Sequence, residues 1–194
     1  SNDTISFDEI EAVTPPGSII AGSLKAHSYL NFKSNQVDIV APTNMTLVAG
    51  AKYTQAEAAD KVQYLLDFEA DCGYMIRYDH VSNPNPEIAD QFTDPPTNTT
   101  STQSLESIDY PAGTKIGLTD GNGVQRQFDF GVYKEGVSNK FVDDDRYKPY
   151  IESDIHTTAV CPYDLYRESK SKMYYRLFIA TKDHPQPDII CNKY

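Results

Sequence analysis

Two runs of alternating residues flank the turn Asp71-Cys72-Gly73, and this pattern limits the fold more than any other feature of the chain. Before the turn, apolar or aromatic side chains occupy every second position: Val62, Tyr64, Leu66 and Phe68. After the turn the same spacing returns: Tyr74, Ile76 and Tyr78. A period of two places such side chains on one face of a strand. Residues 62–80 therefore predict a β-hairpin.

Composition extends the β prediction to the whole chain. Of its 194 residues, 39% are hydrophobic, and Tyr (14) and Phe (8), which suit pleated strands, supply much of that fraction. Thr54 and Glu57 have the capping-box spacing, which predicts one short helix over 55–61, and residues 173–179 predict a last strand. We expect an all-β fold: an antiparallel β-sandwich or barrel-sandwich hybrid core with one short helix and an irregular C-terminal extension.

The chain divides into three parts by composition. Residues 1–18 are polar and end in a Pro-Pro-Gly turn, which predicts an N-terminal arm. Residues 19–135 carry the strand patterns and predict one β domain. Within it, residues 82–104 are almost entirely polar and predict a long loop, which at this length is normally functional or disordered. Residues 136–194 mix charges with tyrosines and predict the extension.

The charge balance excludes two classes of partner. Lys+Arg number 17 and Asp+Glu 28, so the formal net charge is −11. A nucleic-acid groove and an anionic membrane surface both call for clustered Lys and Arg, so neither is expected. No apolar run reaches the roughly 18 residues of a membrane-spanning helix, so membrane insertion is not expected either.

Cysteines and sequons favour an extracellular or cell-surface location. Cys161 and Cys191 predict a disulfide that closes the extension, whereas Cys72 is expected to be a small buried hydrophobe. Three Asn-x-Ser/Thr sequons supply candidate glycosylation sites: Asn2, Asn44 and Asn98.

The order of four segments along the chain indicates more about the fold than any one of them does. The segments are 37–42, 46–49, 73–80 and 110–118. The first two form a strand, an Ala-Pro turn and a second strand. The third is a hairpin arm that opens with glycine and ends in His80, and the fourth holds a Gly-x-x-Ile-Gly motif. Over residues 21–133 this order resembles the lysostaphin-like zinc endopeptidases, cell-wall-cleaving enzymes with an antiparallel core called the duplicated hybrid motif.

The resemblance implies a degenerate zinc site. The family holds zinc through a His-x-x-x-Asp pair and the second His of His-x-His, and leaves one position open. His27 stands at the first of these positions, Asn31 replaces the Asp, and Phe128 and Phe130 replace the two histidines. A phenyl ring has no lone pair to donate, and Asp129 would point to the other side of the strand. The resemblance therefore implies no metal set, with His27 and Asn31 as weak candidates.

The leading hypothesis is a catalytically inactive, secreted or cell-surface domain without a cofactor. It would bind a glycan, a cell-envelope polymer or a protein. Several tyrosines of the extension either offer flat faces to such a ligand or simply pack in the fold; they are Tyr147, Tyr150, Tyr163, Tyr166, Tyr174 and Tyr175.

Two alternatives stand beside that hypothesis. The first is an active zinc-dependent endopeptidase or other hydrolase with a rearranged site, and its catalytic candidates are His27, Asp38 and His80. Asp79 is not expected to orient His80, because neighbouring strand residues point to opposite faces. The second is a structural surface-layer or filament subunit that uses residues 1–18 as an exchangeable arm.

Overall fold

The computed structural model of the chain describes residues 2–179, 190, 191 and 193. The strands of this part are β1 Ile10–Thr14, β2 Ile19–Ile20, β3 Ser23–Leu24, β4 Ser28–Phe32, β5 Val37–Val40, β6 Met45–Thr54, β7 Val62–Ala70, β8 Tyr74–Val81, β9 Asn83–Pro84, β10 Gln103–Tyr110, β11 Lys115–Thr119 and β12 Gln127–Lys134. The α-helices are α1 Pro86–Ala89, α2 Asp154–Thr158 and α3 Glu168–Tyr175. Single 3-10 turns span Phe7–Glu9, Ala56–Ala58, Asp71–Gly73, Lys148–Tyr150 and Pro162–Leu165.

A seven-stranded antiparallel sheet dominates the fold, in the order β1-β4-β12-β8-β7-β6-β10. A three-stranded sheet, β5-β11-β9, and a two-stranded ribbon, β2-β3, accompany it. The all-β prediction is confirmed. The predicted hairpin is also confirmed, because β7 and β8 pair antiparallel on either side of the 3-10 turn at Asp71–Gly73.

The largest cluster of buried hydrophobic residues lies on one face of the large sheet, which we call the core face. Alternation along β12 sends Phe128 and Phe130 into it, where both rings pack beside Tyr78 of β8, with centroids 5.5 and 5.8 Å away. The three-stranded sheet closes this core from the other side with Ile39 and Ile116, both fully buried.

The C-terminal extension covers part of the same core. The predicted disulfide between Cys161 and Cys191 is present, and both cysteines belong to the core cluster. Most of the extension's tyrosines are buried rather than displayed to a ligand: Tyr147, Tyr163, Tyr166 and Tyr174. Cys72, in contrast, is exposed at the β7–β8 turn, so the expectation that it is buried is wrong.

Two local predictions are wrong, each because tertiary contacts outweigh a local pattern. The prediction of one short helix over 55–61 fails because Thr54 pairs with Val62 in the sheet, which leaves a single 3-10 turn, while the described residues contain three other helices. In the predicted strand 173–179, Tyr174 instead belongs to α3, where it and Ser171 are buried at helical spacing. The segment predicted as a long loop, 82–104, contains α1, whose Ile88 is fully buried in the core.

The division into arm, domain and extension stays a prediction. Part of the predicted arm, Ile10–Thr14, forms the edge strand β1 and pairs with β4. No helix of the described part is long and apolar enough to cross a membrane.

Candidate functional site

The face of the large sheet opposite the core carries charged side chains where a sheet core would carry apolar ones. Asp129 lies between Phe128 and Phe130 on β12 and therefore points away from the core, directly opposite Asp79 on β8. Asp129 is 6% exposed. Two carboxylates that face each other in such surroundings need a positive partner, because a buried charge without one is costly.

A β-bulge brings His80 to the same place. Leu65 of β7 stands opposite two residues of β8, Asp79 and His80, because the register shifts there. His80 adopts φ of +65°, a left-handed conformation that is uncommon outside glycine and that collects at functional sites. The hydroxyl of Thr119 donates a 2.7 Å hydrogen bond to the His80 carbonyl and so holds the bulge.

Four side chains meet here, and we call them the Asp129 cluster: His27, Asp79, His80 and Asp129. The Oδ2 atom of Asp129 lies 3.1 Å from Nε2 of His27 and 3.6 Å from Nε2 of His80. Donor atoms of Asp79, His80 and Asp129 all lie within 4.8 Å of one another, which is close enough for a single metal ion to contact all three. His27, just before β4, is the more exposed of the two histidines, with 24% of its side chain accessible against 9% for His80.

Two neutral residues fix the orientation of the cluster. Gln63 is fully buried, and its Oε1 lies 2.7 Å from Nδ1 of His80. The Gln63 amide nitrogen donates to the carbonyl of Gly121, which can only accept, so the amide oxygen faces His80 and holds the proton on Nδ1. The Tyr53 hydroxyl donates to Asp79 and also lies 3.2 Å from Nδ1 of His80. Nε2 of His80 is thereby directed at Asp129.

The charges of the cluster shift one another's pKa values. Burial and the nearby Asp129 carboxylate raise the pKa of Asp79, despite the opposing charge of His80. Burial by itself would lower the pKa of His80, but the hydrogen bond and charge of Asp129 outweigh burial and raise it. Burial would raise the pKa of Asp129, yet His27 and His80 lower it to about 2. Asp129 is thus the anion around which the cluster is organised.

A small cavity of about 180 Å³ opens beside the cluster. Its floor is Gly131, and Tyr133, Arg77 and Ile155 of α2 form walls, while His27, Asp79 and Asp129 form one end. A water molecule occupies about 30 Å³ in the liquid, so the space equals roughly six waters.

The structure brings together some of the predicted site residues and separates others. His27 and His80 meet at Asp129, whereas Asn31 lies further along β4 and accepts a hydrogen bond from Gln127. Asp38 is exposed on the three-stranded sheet, where it pairs with Lys115 at 2.8 Å. Phe128 and Phe130, which the resemblance placed at ligand positions, lie in the core and point away from His27.

Sequence reasoning missed Asp79, Asp129, Tyr53 and Gln63 as members or supports of the site. The placement of Asp129 on the face opposite the two phenyl rings was available from alternation. The β-bulge at His80 could not be predicted, because no residue near His80 in the sequence indicates a left-handed backbone conformation. Asp79 and His80 were expected on opposite faces of the strand, but the bulge places both beside Asp129.

The three sequon asparagines are exposed: Asn2, Asn44 and Asn98. The side-chain oxygen of Asn44 accepts a 2.9 Å hydrogen bond from the backbone of Ala112. Their glycosylation stays a prediction.

Comparisons of the chain with protein-family models, with curated proteins and with solved structures found no match. The site therefore has to be interpreted from its own chemistry.

Proposed function

We propose that this chain binds one divalent cation of the zinc class at the Asp129 cluster and acts as a metal-dependent hydrolase. The observation that carries the proposal is the convergence of His27 and His80 on one carboxylate oxygen, with Asp79 on the adjacent strand. Of the functions predicted from the sequence, this geometry favours the rearranged hydrolase over the inactive binding domain.

The donor set fits zinc. Imidazole nitrogens and carboxylate oxygens are ordinary zinc ligands at about 2.0–2.2 Å, so neighbouring ligand atoms of a tetrahedral site stand about 3.3–3.6 Å apart. The distance from Asp129 Oδ2 to Nε2 of His80, 3.6 Å, matches that spacing. A doubly charged cation would also neutralise the two carboxylates of Asp79 and Asp129.

The residues divide into holders and a proton carrier. Asp79, His80 and Asp129 would hold the ion, because their donor atoms are mutually close, and three protein ligands are the usual number in a catalytic zinc site. Zinc, when bound, would supply Lewis-acid activation of the scissile group and of the attacking water. His27 would carry protons, since its imidazole is the more accessible of the two and lies 3.1 Å from the Asp129 carboxylate, as a general base beside the ion would.

An extracellular or cell-surface location belongs to the same proposal. The disulfide of Cys161 and Cys191 supports it, because such bonds persist in oxidising compartments. Kinship with the lysostaphin-like endopeptidases is also proposed, and its support is the order of the segments together with the position of His27 beside the cluster.

Zinc binding tests the site directly. The purified chain is stripped with a chelator, titrated with zinc and analysed for bound metal. We expect about one zinc per chain, and a loss of affinity of more than about 100-fold in Asp129→Asn. Asp38→Asn is the matched control, because Asp38 is an acid on the other sheet, and it should bind as the parent does. Equal zinc binding by both variants, or none by the parent, would overturn the proposal.

Hydrolysis separates this proposal from the inactive domain. The zinc-loaded chain is incubated with a library of peptides, including peptide-crosslinked cell wall, with and without chelator. Cleavage that stops with chelator and is lost in His27→Ala supports the hydrolase. Stoichiometric zinc without cleavage would favour instead a domain that binds glycan, envelope polymer or protein.

A further inference from the structure

A buried hydroxyl lies beside the Asp129 cluster without a hydrogen-bond partner among the described residues. It belongs to Tyr133, which is 3% exposed. The second oxygen of Asp129, Oδ1, is unpaired within the same part of the chain. A buried polar group that makes no hydrogen bond destabilises the fold, so its presence calls for an explanation.

The Tyr133 side chain leans back along its own strand toward the cluster. Residues 129, 131 and 133 share one face of β12, and two residues of a strand span about 7 Å. A Cβ atom added to Gly131 would stand 2.3 Å from the Tyr133 hydroxyl oxygen, so that oxygen lies directly over Gly131. The hydroxyl is therefore positioned between its own backbone and Asp129, above the floor of the small cavity.

The remaining walls bring little net charge to this cavity. Arg77 makes a paired interaction with Asp67, in which Nε and Nη2 each lie 2.7 Å from a carboxylate oxygen. The guanidinium charge is thereby balanced, and a divalent cation would balance Asp79 and Asp129. A neutral polar group suits such surroundings better than a free anion, because no unpaired positive charge awaits one.

We propose that this cavity seats an acyl or amide group, and that the Tyr133 hydroxyl donates a hydrogen bond to its carbonyl oxygen, while the missing side chain of Gly131 leaves room for that hydroxyl. This inference rests on the proposed metal site and names the substrate class and a specificity-determining residue for it. Burial raises the pKa of Tyr133, which keeps the hydroxyl protonated and able to donate. The Tyr133 hydroxyl has no partner among the described residues, and the carbonyl oxygen of a bound ligand would supply one.

The test uses the full chain loaded with cobalt(II), whose visible spectrum reports ligand binding, and acetohydroxamate as a small carbonyl probe. We expect Tyr133→Phe to weaken acetohydroxamate binding about five- to tenfold and to leave cobalt affinity unchanged. The same variant should unfold at the same or a higher denaturant concentration, because it removes an unpaired buried donor. A merely structural tyrosine would lower stability and leave the probe's affinity as it was.

Two further variants serve as a control for the loss of a tyrosine hydroxyl and as a test of the space over Gly131. Tyr110→Phe is the matched control, since the Tyr110 hydroxyl donates 2.6 Å to Glu87 far from the cavity, and it should lower stability without affecting the probe. Gly131→Ala should bind cobalt but lose the probe. Cobalt binding with equal probe affinity in the parent and Tyr133→Phe would overturn this inference alone, whereas no cobalt binding by the parent would overturn the proposed function as well.

Discussion

The two faces of β12 and β8 are built from alternate residues of the same short segments, yet one face is apolar and the other carries charged groups. On the core face, Phe128, Phe130 and Tyr78 exclude water and pack ring against ring. On the opposite face, Asp129 is buried and Asp79 is partly buried, but both are carboxylic acids. The contrast teaches that burial alone does not identify a core: on one face it provides stability, and on the other it concentrates charge for binding.

The largest expected effect comes from the core face. Phe128→Ala should lower the free energy of unfolding by about 3–5 kcal/mol, because it leaves a cavity beside Tyr78 that the sheet cannot close. Denaturant unfolding measures the loss. Val124→Ala, at an exposed position, is the control and should stay within about 0.5 kcal/mol of the parent. A small loss in Phe128→Ala would show that the core face is loosely packed.

The disulfide offers a second way to weaken the core face alone. Replacement of Cys161 and Cys191 by alanine frees a 30-residue loop and should lower the free energy of unfolding by about 3–4 kcal/mol. Zinc affinity should stay at the parent's value, because neither cysteine touches the Asp129 cluster. Cys72→Ala, at the exposed cysteine, controls for thiol loss. A matching fall in zinc affinity would mean that the two faces are coupled.

On the opposite face, Gln63→Leu should weaken zinc binding about 10- to 100-fold, the usual cost of losing a group that orients a metal-binding histidine. The change removes the oxygen that holds the proton on Nδ1 of His80. Gln63→Glu keeps an oxygen at that position and should retain more of the affinity. Isothermal titration with zinc separates the two, and equal losses in both variants would argue against an orienting role.

The smallest expected effect is the pH dependence of the metal-free chain. The raised pKa of His80 contributes stability that is complete below its ordinary pKa of about 6.5 and is lost as pH rises through the folded value. The raised pKa of Asp79 acts in the same direction, and the lowered pKa of Asp129 contributes stability above about pH 4 that is lost toward pH 2. Metal-free stability should therefore decline as pH rises above 6.5.

His80→Asn should flatten that decline, and asparagine tolerates the left-handed backbone at this position. Zinc should reverse it, because metal binding displaces protons from imidazole and tightens as pH rises. Thermal unfolding between pH 6 and 9, with and without zinc, measures both slopes. A parent slope equal to that of His80→Asn would show that His80 does not govern the pH dependence.

Much of the sheet was predictable because its cause is local. Alternation at Val62–Ala70 and Tyr74–Val81 required a strand with two unlike faces, and the turn between them left antiparallel pairing as the short connection. Where local patterns failed, long-range contacts outweighed them. Thr54 offered a helix cap but continues the strand ladder instead, and Tyr174 belongs to a helix where alternation indicated a strand.

The candidate site was predictable only in part. His27 and His80 drew attention as histidines, but their 53-residue separation in the chain says nothing about their meeting at Asp129. The resemblance singled out Phe128 and Phe130, whereas the residue between them, Asp129, lies 3.1 and 3.6 Å from the two imidazoles. Gln63 and Tyr53 carried no signal, because a buried amide and a strand tyrosine are ordinary until a histidine lies beside them.

By itself, the sequence determined the β class, the hairpin, the cysteine pair and which β12 side chains share a face, because these follow from spacing along one extended chain. The tertiary structure alone decided that β4, β8 and β12 lie side by side, that a bulge rotates His80 toward Asp79, and that a tyrosine hydroxyl is buried without a partner. Strand order and a left-handed residue arise from the balance of contacts over the whole molecule, and no short stretch of residues encodes that balance.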